Sequence, residues 1–106
     1  MKPPRHLKLA TRRWFAEVCT TYELEAHHVR LLTLAGEAWD RCTQAREALG
    51  EGLTFTDRFG APHARPEVAI ERDNRLAFAR LIRELDLDIE PPATGPRAPA
   101  LRSNRG

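Results

Sequence analysis

Leu7, Ala10, Trp14, Val18 and Tyr22 recur at spacings of three and four, the period of one helical face, and predict a first helix over about 9–21. The segment "YELEAHH" interrupts that pattern and restarts it. Leu31, Leu32, Ala35, Ala38, Trp39, Cys42, Ala45 and Leu49 then share one side of a second helix over about 25–49, with Gly50 as its expected stop. At 1.5 Å per residue such a helix is about 36 Å long. That is long for a small domain, so part of its surface is expected to project or to be covered by another subunit. After Gly52 the period drops to two: Leu53 and Phe55 alternate with Thr54 and Thr56, and "RFGAPHA" supplies a glycine turn and a second extended piece. This predicts a β-hairpin over about 53–64, with Pro62 confining its second strand to an edge. Pro66 suits the first turn of a third helix over about 66–86, which places Ala77, Phe78, Leu81, Ile82 and Leu85 on one face. The fold class is therefore mainly α, three helices with one hairpin between the second and third. Residues 1–90 form one domain and 91–106 a Pro/Arg-rich flexible tail with too few apolar residues to pack.

Composition agrees with a single small domain, since 106 residues with 42% hydrophobic and 30% charged side chains allow one modest core. No apolar run approaches the roughly 20 residues of a membrane-crossing helix, and "MKPPRHLK" has no signal-peptide apolar segment. A cytoplasmic protein without membrane association is expected. Cys19 and Cys42, with no metal-ligand spacing around them, are read as small buried apolar residues. Trp14 and Trp39, on separate apolar faces, are expected to pin the first helix against the second.

Charge changes the picture. The formal net charge of +2 is unevenly spread. Residues 1–13 carry Lys2, Arg5, Lys8, Arg12 and Arg13 with no acid, and residues 97–106 carry Arg97, Arg102 and Arg105 with no acid. The nine basic and fifteen acidic residues between them give a body of net −6. Basic ends on an acidic body suit contact with nucleic-acid phosphates, because Lys and Arg there release counterions whatever the base sequence. Arg5, Lys8, Arg12, Arg13, Arg97, Arg102 and Arg105 are the candidate DNA-binding residues. Arg13, beside Trp14, is the one expected to lay its stem over apolar surface as well.

Candidate chemistry is sparse. Asp57, His63 and Glu67 lie within eleven positions, but Asp57 precedes a turn and Glu67 opens a helix facing away. His27 and His28 are adjacent, about 100° apart on a helix, and read as helix-start histidines. No phosphate-binding glycine loop, nucleophile elbow or zinc-ligand pattern occurs. The expectation is no enzyme, no cofactor and no metal site.

The order of these parts resembles a known family. "PPRHL" (3–7), "ATRRWF" (10–15), "VRLLTLAGEAWDRCTQAREAL" (29–49), "GLTFTDRFGAPHARPEVAIERD" (52–73) and "LIRELDLDIEPP" (81–92) together are similar to the small subunits of phage terminases, of the type labelled P-twenty-seven or Terminase-four. Arg65-Pro66 stands where that family usually has Asn-Pro, which keeps the helix-starting proline. The resemblance implies a non-enzymatic protein of the genome-packaging motor in the bacterial host cytoplasm. Its partners would be double-stranded viral DNA, the terminase large subunit that holds the ATPase and nuclease, and further copies of itself in a ring. On that reading Leu31, Leu34, Phe55, Phe59 and Phe78 are the candidate subunit contacts, and the hairpin's open edge meets a neighbour. Two alternatives remain, a small helical DNA-binding transcription regulator and a protein-interaction module that binds no DNA.

Overall fold

A computed structural model describes residues 2–50, 52–87 and 92. The chain forms α1 (Leu9–Thr21), α2 (Ala26–Leu49), β1 (Thr54–Thr56), β2 (Pro62–Ala64) and α3 (Pro66–Leu85), in that order. Element types and order agree with the periodicity, and the helix boundaries differ from it by no more than one residue.

Each helix end has a local cause. Glu25 caps α2 through a capping box: its side chain accepts the backbone N–H of His28 while the His28 ring Nδ1 accepts the Glu25 N–H at 3.2 Å. A histidine thus takes the place that glutamate or glutamine usually fills. α2 stops as expected, at Leu49 with Gly50 as its C-cap, and Gly52 beyond it takes a φ of +122° that favours glycine. Pro66 begins α3, and Asp86 ends it in the left-handed region at φ 54°. The Leu87 N–H returns to the Ile82 carbonyl at 3.3 Å, and Leu87 packs against the core, closing the helix in a Schellman arrangement.

Arg46 of α2 faces Glu71 of α3, and Trp39 faces Phe78, so α3 runs back antiparallel along α2. The core fills the space between the helices with Leu7, Trp14, Phe15, Val18, Leu32, Ala35, Ala38 and Phe78. Full burial of a Val, Leu or Phe side chain contributes about 1.5–3 kcal/mol, so this cluster is a main source of stabilisation. The two tryptophans meet on α3 and not directly on one another. Phe78 lies 5.8 Å from Trp14 and 4.8 Å from Trp39 between ring centroids, at tilts of 49° and 55°. Such tilted pairs add roughly 0.5–1.5 kcal/mol each beyond burial. The indole Nε1 of Trp14 is buried without a hydrogen-bond partner among the described residues, which offsets part of that gain.

Two devices position α1. Gly36 gives it room: a Cβ there would lie 3.1 Å from Leu7 Cδ1 and 3.2 Å from Thr11 Cγ2. Asp40, one helical turn later on α2, supplies the cap that the Lys8 side chain does not provide for its own helix. Its carboxylate accepts the Lys8 backbone N–H at 2.8 Å and the Thr11 hydroxyl at 2.5 Å. The beginning of α1 is therefore held against the C-terminal half of α2, with His6 at 2.7 Å from Glu37 and the Lys8 amine 4.0 Å from Glu47.

The hairpin stands apart. Thr54 pairs with Ala64, Phe55 with His63 and Thr56 with Pro62, and all six strand residues are exposed.

Candidate nucleic-acid interface

The cationic residues at the start of the chain divide into two kinds. Lys2, Arg5 and Arg13 are exposed and make no ion pair or hydrogen bond to another described residue. Lys8 is exposed too, but its backbone is tied to Asp40 and its amine turns toward Glu47. Arg12 is half-buried, with its Nε enclosed and without a hydrogen-bond partner among the described residues. The expected order of the neighbouring arginines is thereby reversed. Arg13 points to solvent, while Arg12 lays its stem into the domain. Arg97, Arg102 and Arg105 lie outside the described residues.

A groove of about 410 Å³ runs beside the start of α1, lined by His6, Lys8, Glu37, Asp40, Arg41 and Gln44 among others. Its charges are mixed and largely engaged. His6 is on Glu37, and both Asp40 oxygens are taken by α1. The groove therefore serves the packing of α1 and presents no set of converging free groups.

The hairpin does bring two of its three candidate residues together, contrary to the expectation from spacing. His63 Nε2 is 2.7 Å from Asp57 Oδ2, because register places Asp57 two positions beyond Phe55 on the face that His63 shares. Asp57 Oδ1 also accepts the Phe59 and Ala61 N–H groups at 2.8 and 2.9 Å. The hydrogen bond with His63 and then that from the Ala61 backbone hold the Asp57 carboxyl below its ordinary value of 3.8, desolvation opposes them, and the Phe59 N–H adds the least. Glu67 is elsewhere, 3.6 Å from Arg65. The Asp57–His63 pair braces the turn, and the Phe55 ring stacks on His63 at 5.4 Å. Among the described residues no three His, Cys, Asp or Glu side chains converge as a metal site would require, and no helix is long and apolar enough to cross a membrane.

The candidate subunit contacts also separate. Leu34, Phe55 and Phe59 are exposed at 51%, 47% and 80%. Leu31 is half-buried. Phe78 is only 8% exposed, enclosed between the two tryptophans, and is unavailable to a partner unless the core opens. Its place in the apolar stripe was legible, but α3 buries a narrow face and that stripe is spent inside the chain. Asp40 is the polar residue that spacing did not single out. Glu71 collects Arg46 at 3.4 Å and Arg75 at 3.3 Å. Asp40 follows Gly36 by four positions, a face that acquires meaning only once α1 is known to lie on it.

No protein-family model, curated protein or solved structure matches this chain.

Proposed function

We propose that this chain is the small subunit of a phage or prophage DNA-packaging terminase. It binds double-stranded viral DNA as a closed oligomer in the host cytoplasm and presents it to the large subunit, which performs the ATP hydrolysis and cleavage. The order of sequence motifs carries the family reading. The observation that carries DNA binding is the set of exposed cations around the start of α1, Lys2, Arg5 and Arg13, without an acidic partner among the described residues on a body of net −6. Unpartnered cations on such a body remain available to phosphate. Self-association is supported by the exposed Leu34 on a 24-residue helix and by a two-stranded hairpin with unpaired edges. A transcription regulator of the helix-turn-helix kind is disfavoured by that same α2, which is far longer than a recognition helix. Titration of a labelled duplex with the purified chain over a range of salt concentrations tests the reading. Binding that weakens steeply with salt and ignores base sequence is expected. No binding at low salt would leave the protein-interaction module as the better account.

A further inference from the structure

We infer that the hairpin turn is a second DNA-contact element, with Arg58 reaching the phosphates or base edges and the Phe59 ring lying against the sugars or bases of a duplex groove; this rests on the DNA-binding reading above.

Position is the first argument. The hairpin leaves α2 at its C-terminal end, and the start of α1 lies along that same half, with the Lys8 amine 4.0 Å from Glu47, two residues before α2 ends. The base of the hairpin and the start of α1 at Lys8 therefore lie toward the same end of α2. The strands are exposed on both faces, and nothing lies within 4 Å of the point where a side chain on Gly60 would begin. A two-stranded ribbon with both faces free is a shape that the roughly 12 Å wide major groove admits.

Charge is the second. The only acid of the turn, Asp57, is saturated by the Phe59 and Ala61 N–H groups and by His63. That leaves Arg58 as the outward charge, with no acidic partner among the described residues. Its guanidinium carbon lies 4.9 Å over the Phe59 ring. A guanidinium laid on an aromatic face keeps its N–H edge for an anion and loses little side-chain freedom in binding one. Phe59 is the most exposed large hydrophobic residue among the described residues, at 80%, and its other face is free to take an apolar surface. An apolar partner alone would strand Arg58, whereas a duplex offers phosphate for the cation and sugar or base for the ring. A second copy of the chain is the competing occupant.

The test uses the full chain, a labelled duplex and a salt series on the wild type, Arg58→Ala, Arg58→Lys and Phe59→Ala. Helix content and solution mass are measured for each. Because the turn touches none of the core, all four are expected to fold alike. Arg58→Ala should flatten the slope of log K against log salt by about 0.9 for each subunit touching the duplex, and Arg58→Lys should restore it. Phe59→Ala should weaken binding with the slope unchanged, since it removes an apolar contact and no charge. A wild type that binds while Arg58→Ala and Phe59→Ala bind identically would overturn the inference and leave the proposed function standing. A fall in solution mass for either variant would assign the turn to a subunit contact and overturn it equally. A wild type that binds no duplex removes both.

Discussion

Asp40 reaches from the middle of α2 to the first residue before α1 and accepts the Lys8 backbone N–H at 2.8 Å, so one helix is capped by the side chain of another. The bond to Thr11 makes the same carboxylate a two-point clamp. Replacing Asp40 with Ala leaves an orphan N–H and a buried hydroxyl, and should cost about 1–2 kcal/mol in urea unfolding. Asn, which keeps one accepting oxygen, should cost about half as much. A loss within roughly 0.3 kcal/mol for Ala would mean that water caps α1 equally well.

Phe78 fills the space between Trp14 and Trp39, and Phe78→Ala should cost about 3–5 kcal/mol through lost burial and the cavity left behind. A domain of this size has only about 5–15 kcal/mol in total, so Phe78→Leu is the safer companion variant. Near-UV circular dichroism should report the change in tryptophan packing for both. A Phe78→Leu protein that keeps its stability but changes its solution mass would return Phe78 to a subunit contact.

Leu34 is the contrasting case. It is half exposed on α2, and Leu34→Arg should lower the solution mass at tens of micromolar without loss of helix. An unchanged mass would place the contact elsewhere, and a wild type that is strictly monomeric would remove the argument for a ring.

The Asp57 carboxyl is held below its ordinary value, so the contribution of its hydrogen bonds is fully present above about pH 4 and is lost as pH falls through the lowered folded value. Between pH 6 and 2.5, NMR should show the Phe59 and Ala61 amides losing their hydrogen-bonded shifts while core amides of α2 stay protected. Asp57→Ala should give the same turn spectrum at pH 6. If neither treatment moves those amides, the turn is held by its backbone bonds alone, between Asp57 and Ala61 and between Gly60 and Asp57.

For DNA, Arg13→Ala is the clean variant because Arg13 is exposed, and it should flatten the salt slope by about 0.9 for each subunit in contact. Arg12→Ala should flatten it similarly and lower stability too, since its stem packs in the domain. An Arg13→Ala protein with the wild-type slope would exclude Arg13 from the phosphate contact.

The fold was largely legible because each element is set by local rules: a three-to-four period for the helices, a two-residue period and glycine for the hairpin, Pro66 for the start of α3. What could not be read was how elements share their surfaces. Phe15 and Thr11 sit beside the marked face of α1, and both are buried because α1 is covered on more than one side. Asp40 looks like any solvated helix acid until α1 is laid over it. The Asp57–His63 contact depends on strand register, which a one-residue slip would have sent to the opposite face.

Cys42, only 2% exposed between α2 and α3, gives the molecule a chemical clock. Its sulfur is 3.6 Å from Glu71 Oε1 and 3.5 Å from the Arg46 guanidinium, and burial pushes the thiol above its ordinary 9.0, with Arg46 pulling the other way. A maleimide or iodoacetamide reagent needs the exposed thiolate, so it reacts with Cys42 only during moments when α3 lifts from α2. Cys19, half-buried at the edge of α1, should be consumed earlier. The ratio of the two alkylation rates therefore times the breathing of the α2–α3 seam, and adding DNA or raising the protein concentration should slow the Cys42 reaction to whatever extent binding or assembly holds that seam shut.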